Sequence, residues 1–312
     1  MTTSISRDVL MERVSAGERL SADDIRHLAT TPDILSIGML ADVLRRRMHE
    51  TRTTFLRVAE CALDAPALDP AHVKAQEIRI TGSPAQLADA IRAVEVIKSK
   101  GDRTVSAFTW SDVERMASGA SIAAVLKQLH VAGLDSLLAL PLDGQADPAS
   151  MVSELASAGF TQLRLTVDRA PADTRADLLL RAAELQDRVG CIQAISPLPM
   201  TLSAFRPTTG YDDVKMVAIA RLAAPNIPTV QVDWRRYGPK LAQVALTFGA
   251  DDIDGVSASD EAPEGRRRAP LEEITRNIEA AGFEPVERTG RFAAIGRCRF
   301  VSARSAISMP GR

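Results

Sequence analysis

The sequence predicts an α/β fold, a (β/α)8 barrel of the TIM type, on three observations. From Thr53 onward, eight short β-prone runs alternate with amphipathic helical segments. The 312 residues, 46% of them hydrophobic, are enough for the single large core that such a barrel needs. No GxGxxG sequence opens a helix, which favours the barrel over an open doubly wound sheet.

Residues 8–50 precede the repeating pattern and are predicted to be helical. Ser21 and the acidic residues after it form a helix-capping sequence, and a second apolar stripe runs from Leu35 to Met48. The arginine triplet at residues 45–47 suits the negative end of that helix and needs no ligand. We expect residues 1–52 to be a helical segment that packs on the barrel.

Residues 53–296 are predicted to form the barrel, and residues 297–312 a C-terminal tail. The predicted strands are Thr54–Ala59, Glu77–Thr81, Thr104–Thr109, Ser136–Leu140, Gln162–Val167, Ile192–Ser196, Thr229–Trp234 and Asp252–Ser257. The predicted helices are Pro84–Lys100, Ser121–Ala132, Pro148–Ala158, Ala172–Val189, Asp212–Ala223, Pro239–Phe248 and Leu271–Ala281.

The first βα unit is predicted to be shortened. Only 17 residues separate Ala59 from Glu77, and two of them are prolines. A parallel crossover takes a dozen or more residues, so this connection has room for barely a turn of helix. The flank of a barrel is apolar and is usually covered. We therefore expect four residues to pack in the loop or in a dimer interface: Val58, Leu63, Leu68 and Val73.

Charge and cysteine content exclude several classes of function. A net charge of −2 gives no overall attraction to nucleic acid or to anionic lipid. Residues 1–13 lack the apolar stretch of a signal peptide, and no apolar run has the length of a membrane span. The three cysteines, Cys61, Cys191 and Cys298, are too scattered for a disulfide framework. The expected location is the cytoplasm, with no nucleic-acid or membrane partner.

Several motifs occur along the chain in the order found in one enzyme family. They are Glu184–Asp187, Gln193-Ala194, Pro197-Leu198, Thr209–Asp213, Asn226–Pro228 with Val230–Trp234, and Lys240–Leu246 with Gly249–Gly255. On these residues the chain resembles the radical-SAM family of aminofutalosine synthase and dehypoxanthine futalosine cyclase, to which the deazaflavin (F420-precursor) synthases are related. The resemblance implies a radical-SAM barrel and a place in menaquinone biosynthesis.

The sequence departs from this family at the cofactor sites. Family members carry CxxxCxxC after the first strand, because three thiolates hold a [4Fe–4S] cluster and leave one iron open for SAM. This chain has Cys61 alone in that stretch, and Gly82-Ser83-Pro84 replaces the Gly-Gly that follows the family's second strand. We expect neither the cluster nor SAM, and no other cofactor. A cluster formed from the cysteines of two chains ranks last among the alternatives.

Polar residues at the C-terminal ends of the strands are the candidate ligand-binding residues, since barrel enzymes bind their ligands there. If the valines of Val230–Trp234 face the helices, Gln231 and Asp233 point into the barrel. Asp252 and Asp254 share a face, and Asp233 beside either of them would form a cluster suited to a metal or to sugar hydroxyls; the alternative is that these aspartates hold neighbouring loops. The candidates are Thr109, Asp112, Ser196, Gln231, Asp233, Trp234, Asp252 and Asp254, with no metal ligand and no catalytic residue assigned.

Two classes of function remain open. The first is a barrel without a cluster that binds a small molecule, or acts as an accessory protein in a homodimer or in a heteromer with an active radical-SAM paralogue. The second is an enzyme whose non-radical chemistry uses the carboxylates of Asp233, Asp252 and Asp254. A mouth filled by Arg–Asp pairs disfavours catalysis, whereas an open cavity lined by Asp233, Asp254 and Thr109 favours an enzyme.

Overall fold

Three helices precede the barrel in the computed structural model, which describes residues 7–66, 73–199, 210–265 and 267–297. They are α1 (Arg7–Ala16), α2 (Ala22–Thr30) and α3 (Ile34–His49). The Ser21 side chain accepts a hydrogen bond from the Asp24 backbone and Asp24 reciprocates, so α2 begins with the capping box that the sequence predicts. The long helix α3 packs against the outer helices of the barrel.

Eight parallel strands close into a barrel, which confirms the predicted fold class. The strands are β1 (Arg52–Ala62), β2 (Glu77–Thr81), β3 (Thr104–Thr109), β4 (Ser136–Pro141), β5 (Leu163–Val167), β6 (Ile192–Pro197), β7 (Thr229–Asp233) and β8 (Asp252–Ser257). Each pairs with the next, and β1 pairs with β8 to close the ring. The helices around them are α4 (Leu87–Lys98), α5 (Trp110–Met116), α6 (Ile122–Ala132), α7 (Pro148–Ser157), α8 (Ala172–Val189), α9 (Tyr211–Ala223), α10 (Trp234–Leu246) and α11 (Pro270–Ala280).

The first βα unit has no α-helix in the part of it that the structure describes, residues 63–66 and 73–76. Leu63 turns back from β1 and packs on Gly82, where a Cβ atom would lie 3.3 Å from the Leu63 Cβ. Val58 is buried and Leu63 packs against the core, so both serve packing within the chain. Val73 is 65% exposed, and Leu68 lies outside the described residues.

A hairpin that the sequence did not predict closes the barrel at the N-terminal ends of its strands. Its strands are β9 (Glu284–Arg288) and β10 (Ala294–Arg297), and β9 pairs in parallel with the first residues of β1. The turn of the hairpin reaches the starts of three other strands: Gln162 donates to the Arg291 carbonyl at 2.9 Å, Arg291 pairs with Asp135 at 3.0 Å, and Gly290 lies against Thr104. The hairpin therefore forms the floor of the barrel.

The first arginine of the triplet at residues 45–47 has a structural task beyond the helix dipole. Arg45 is fully buried and donates hydrogen bonds to the carbonyls of Glu50, Arg52 and Ala250 and to the Thr53 hydroxyl. Its guanidinium also lies 3.7 Å from the centre of the Phe283 ring. Arg45 thus ties α3 to the start of β1 and to the loop before β8.

No described helix is both long enough and apolar enough to cross a membrane.

Candidate functional site

A cavity of about 540 Å³ opens at the C-terminal ends of the strands, which is the end where barrel enzymes bind their ligands. This volume lies within the range of small-molecule sites. We call this cavity the mouth pocket. Its lining residues are Arg79, Thr109, Trp110, Ser111, Leu138, Ala139, Pro141, Asp143, Gly144, Arg164, Thr166, Asp168, Arg169, Ser196, Leu198, Gln231, Asp233, Arg236 and Asp254.

The base of the mouth pocket is a network of buried ion pairs. Glu77 on β2 is fully buried and accepts hydrogen bonds from Arg164 at 3.1 Å and from Arg79 at 2.9 Å. Arg79 also donates to Asp254 at 2.5 Å, and Ser106 donates to Glu77 at 2.7 Å. Each charge at the base thus has an opposite charge beside it, as burial in a protein interior requires.

Asp233 and Asp254 lie side by side, as register partners on the adjacent strands β7 and β8. Burial raises the pKa of Asp254, but the positive charges of Arg79, Arg164 and Arg288 outweigh burial and hold that pKa below its usual value. For Asp233 the pKa is raised, first by burial and then by the negative charge of Asp254. The pocket therefore holds two carboxyl groups with pKa values displaced in opposite directions, an arrangement that separates acid from base in enzymes.

Asp233 also caps α10. Its Oδ1 atom accepts hydrogen bonds from the backbone N–H groups of Arg235 at 2.8 Å and Arg236 at 2.9 Å. Such a cap satisfies two of the free N–H groups at the start of a helix. The cap holds Asp233 at the mouth, where its carboxyl group lines the pocket.

Asp252 does not join this pair, contrary to the predicted cluster of three aspartates. Its carboxylate lies one step deeper and is held by Arg288 of the floor hairpin at 2.6 and 2.8 Å. Gln231 donates to it at 2.7 Å, and the Thr54 hydroxyl at 2.5 Å. Asp252 is fully buried, so it serves the closed end of the barrel rather than a ligand. The alternation expected for β7 is correct, since Gln231 and Asp233 both line the pocket.

Thr109 and Asp112 form a reciprocal capping box at the start of α5. The Thr109 hydroxyl accepts from the Asp112 backbone at 3.2 Å, and Asp112 accepts from the Thr109 backbone at 2.8 Å. The N-terminal cap of α5 is therefore Thr109. Thr109 still lines the mouth pocket, whereas Asp112 is buried and pairs with Arg115 at 2.5 Å. The local structure accounts fully for Asp112.

Ser196 and Trp234 have contrasting surroundings. Ser196 on β6 lines the pocket, is 4% exposed, and its hydroxyl has no hydrogen-bond partner in the structure. Trp234 is the first residue of α10 and packs against the core, and it is not among the residues that line the pocket. Ser196 is therefore the stronger candidate for a ligand contact.

Sequence reasoning missed the arginines of the pocket. Arg79 and Arg164 lie between apolar neighbours on β2 and β5, and both point inward. Their signal is the same alternation that places Gln231 and Asp233 on the inner face. At the rim, Arg236 pairs with Asp168 at 3.0 Å, and Arg235 pairs with Glu60. These two ion pairs tie the first turn of α10 to the loop after β5 and to β1.

The residues present do not fit a [4Fe–4S] cluster, for which this type of barrel needs three thiolates after β1. Cys61 is buried within β1, and burial raises the pKa of its thiol to about 11. Cys191 comes just before β6 and so lies at the opposite end of the barrel. Cys298 lies outside the described residues. The turn after β1 is filled by Leu63, which covers Gly82 at the place where the family has its Gly-Gly.

Comparison with known proteins identifies the fold class. The structure superposes on the FeFe-hydrogenase maturase HydG from Carboxydothermus hydrogenoformans with a TM-score of 0.66 at 12% identity, over 95% of this chain and 81% of that chain. This likeness concerns the fold. The protein is therefore a closed (β/α)8 barrel with a pocket at the C-terminal ends of its strands.

Sequence comparison then gives the enzymes that this chain is similar to. Residues 200–297 match the CofH/MqnC C-terminal region. The chain is 27% identical to the aminodeoxyfutalosine synthase of Thermus thermophilus, over 92% of this chain and 95% of the relative. It is 24% identical to the cyclic dehypoxanthine futalosine synthase of Halalkalibacterium halodurans, over 93% of this chain and 95% of the relative. The chain is therefore similar to these two synthases over nearly its whole length.

The alignment with the Thermus protein also shows that this chain lacks internal residues that the relative has. The alignment with the Thermus protein spans 366 residues but includes 92% of these 312 residues, which is about 287, so about 80 positions of the relative have no counterpart here.

Proposed function

We propose that this chain is a member of the futalosine-enzyme family that works without an iron–sulfur cluster and without SAM, and that it binds a small polar molecule in the mouth pocket. One observation carries the proposal: the cysteine segment after β1 is reduced to the buried Cys61, while a pocket of about 540 Å³ persists at the mouth. Its polar lining supports a ligand with several hydrogen-bonding groups. The similarity to two futalosine-pathway synthases supports a ligand from menaquinone biosynthesis.

The ion pairs at the base support retained binding rather than a collapsed site. Arg79 and Arg164 are fixed by Glu77, and Asp254 is fixed by Arg79. Such fixed charges present a preorganised surface to a ligand, because no side chain has to be reordered on binding. An accessory protein that delivers or senses a metabolite needs this property, and so does an enzyme.

A non-radical enzyme is the second candidate, and the open cavity favours it. Asp233, Asp254 and Thr109 all line the cavity, as expected for an enzyme. In such an enzyme Asp233, whose pKa is raised by burial and by the charge of Asp254, is the candidate general acid, and Asp254 beside Arg79 is the candidate for the ionised carboxylate. Asp252 has no part in it, since Arg288 holds its carboxylate.

Titration with SAM by calorimetry tests the proposed function. We expect no heat of binding to the purified chain, whereas the Thermus aminodeoxyfutalosine synthase, with its cluster reconstituted, serves as the positive control. Binding of SAM to this chain with an affinity close to that of the control would contradict the proposal. A Cys61→Ser variant is expected to behave as the parent does, because Cys61 is a packing residue of β1.

A further inference from the structure

Asp233 differs from the other carboxylates inside the barrel in its counter-ion. Glu77 has Arg79 and Arg164, Asp254 has Arg79, and Asp252 has Arg288. Among the described residues, no arginine, lysine or histidine forms an ion pair with Asp233. Asp233 is therefore the carboxylate of this group that lacks a side-chain counter-ion in the described part of the chain.

The helix cap does not replace the missing positive charge. Both backbone N–H groups bond to Oδ1 of Asp233, and they are neutral donors. Buried carboxylates are normally paired with a positive charge, because the loss of hydration is otherwise not offset. Asp233, which is half-buried in the wall of the pocket, thus has no positively charged side chain paired with it among the described residues.

Ser196 gives a second and independent indication of a ligand. Its hydroxyl is buried in the same pocket and has no partner. The strand register places Ser196 beside Thr166 of β5 and one layer below Asp233. Leaving a buried polar group without a partner is unfavourable, so a partner from outside the chain is expected.

We propose that the mouth pocket takes an organic ligand with a protonated amine, whose ammonium group lies between Asp233 and Asp254 and whose neighbouring hydroxyl bonds to Ser196. This inference rests on the proposed function and names the class of its ligand. An ammonium group has three donors and one positive charge, so it serves both carboxylates and balances the network. A neutral sugar supplies the hydrogen bonds but leaves the charge unbalanced.

A metal ion fits these residues less well than an amine. No group of three or more His, Cys, Asp and Glu side chains is arranged to hold a metal within the described ranges. Hard cations such as Ca²⁺ take six or more oxygen ligands, and Mg²⁺ takes six. The part of the pocket around Ser196 instead offers the carboxylates of Asp233 and Asp254, and Trp110 adds an aromatic side chain to the lining.

Intrinsic fluorescence provides a direct test, because both tryptophans of the chain lie at the mouth. Trp110 lines the pocket and Trp234 starts α10. The probes are glucamine and sorbitol, a matched pair in which a terminal ammonium group replaces a hydroxyl. We expect glucamine to change the fluorescence saturably and to bind at least ~10-fold more tightly than sorbitol, a difference of about 1.4 kcal/mol.

Three variants separate the contacts. Asp233→Asn is expected to reduce glucamine binding to the level of sorbitol, and it keeps the helix cap because asparagine caps as well as aspartate. Ser196→Ala is expected to weaken both probes, since each carries the hydroxyls. Asp89→Asn, at an exposed aspartate of α4, is the matched control and should leave the preference for the amine unchanged.

Equal binding of the two probes, or no response to glucamine up to its solubility limit, would overturn the amine proposal. So would an unchanged preference in a folded Asp233→Asn variant. The SAM titration is read separately. If SAM binds, the proposed function fails whatever glucamine does, and if neither SAM nor glucamine binds, the amine proposal alone fails.

Discussion

Replacement of Arg288 by methionine is expected to destabilise the protein by about 3–5 kcal/mol. Arg288 is fully buried, and its guanidinium holds both oxygens of Asp252 at 2.6 and 2.8 Å. Methionine fills similar space but leaves the Asp252 carboxylate buried without a positive charge. Because Arg288 belongs to β9, the same change loosens the hairpin that closes the floor. Urea denaturation followed by circular dichroism measures the change in the free energy of unfolding.

The double variant Arg288→Met with Asp252→Leu is the control for this prediction. Removing both partners of a buried pair leaves no unpaired charge, so the double variant is expected to recover much of the loss. A single variant as stable as the parent would contradict the account of the floor. So would a double variant that is less stable than the single one.

Replacement of Arg164 by methionine is expected to cost a similar amount, about 3–5 kcal/mol at neutral pH. Glu77 is fully buried; burial raises its pKa, but the positive charges of Arg164 and Arg79 outweigh burial and hold the pKa below its usual value. Without Arg164, we expect the effect of burial on the pKa of Glu77 to exceed the opposing effect of Arg79. The Glu77 carboxylate then becomes a destabilising charge, with only Arg79 and Ser106 beside it.

The loss of unfolding free energy in the Arg164→Met variant is expected to depend on pH. In the parent, the lowered pKa of Glu77 adds stability above the pKa of the unfolded chain, and this is lost as pH falls through the folded pKa. In the variant we expect the pKa of Glu77 in the folded chain to be raised. Protonation of Glu77 then removes a buried negative charge that Arg79 alone does not offset, and this stabilises the variant as pH falls. The difference in unfolding free energy should therefore narrow between neutral pH and about pH 5. A difference that stays constant would show that lost packing, and not charge, is responsible.

The barrel strands were predictable because each has a local signal. β2, β3 and β8 begin and end as predicted, since β-prone residues in them are bounded by glycine, proline or charged residues. The floor hairpin has no such signal. Glu284–Arg288 contains a proline and three charged residues, and it becomes a strand only because the free edge at the start of β1 pairs with it.

The candidate site was predictable in part for the same reason. Alternation within β7 correctly places Gln231 and Asp233 inside the barrel, and the strand ends indicate Thr109, Ser196 and Asp254. Alternation does not say which charges meet across the barrel. Arg164 and Glu77 are 87 positions apart in the sequence, and Arg288 reaches Asp252 from a strand outside the eight-strand ring. That Asp252 belongs to the floor is therefore visible only in the folded chain.

Anaerobic reconstitution with iron and sulfide tests the central claim most directly, namely that this family member works without a cluster. Iron content and visible absorbance are measured after desalting, with the Thermus aminodeoxyfutalosine synthase treated in parallel. We expect no stably bound iron in this chain, because Cys61 is a buried thiol and Cys191 lies at the opposite end of the barrel. Binding of about four iron atoms per chain with the absorbance of a [4Fe–4S] cluster would contradict the account.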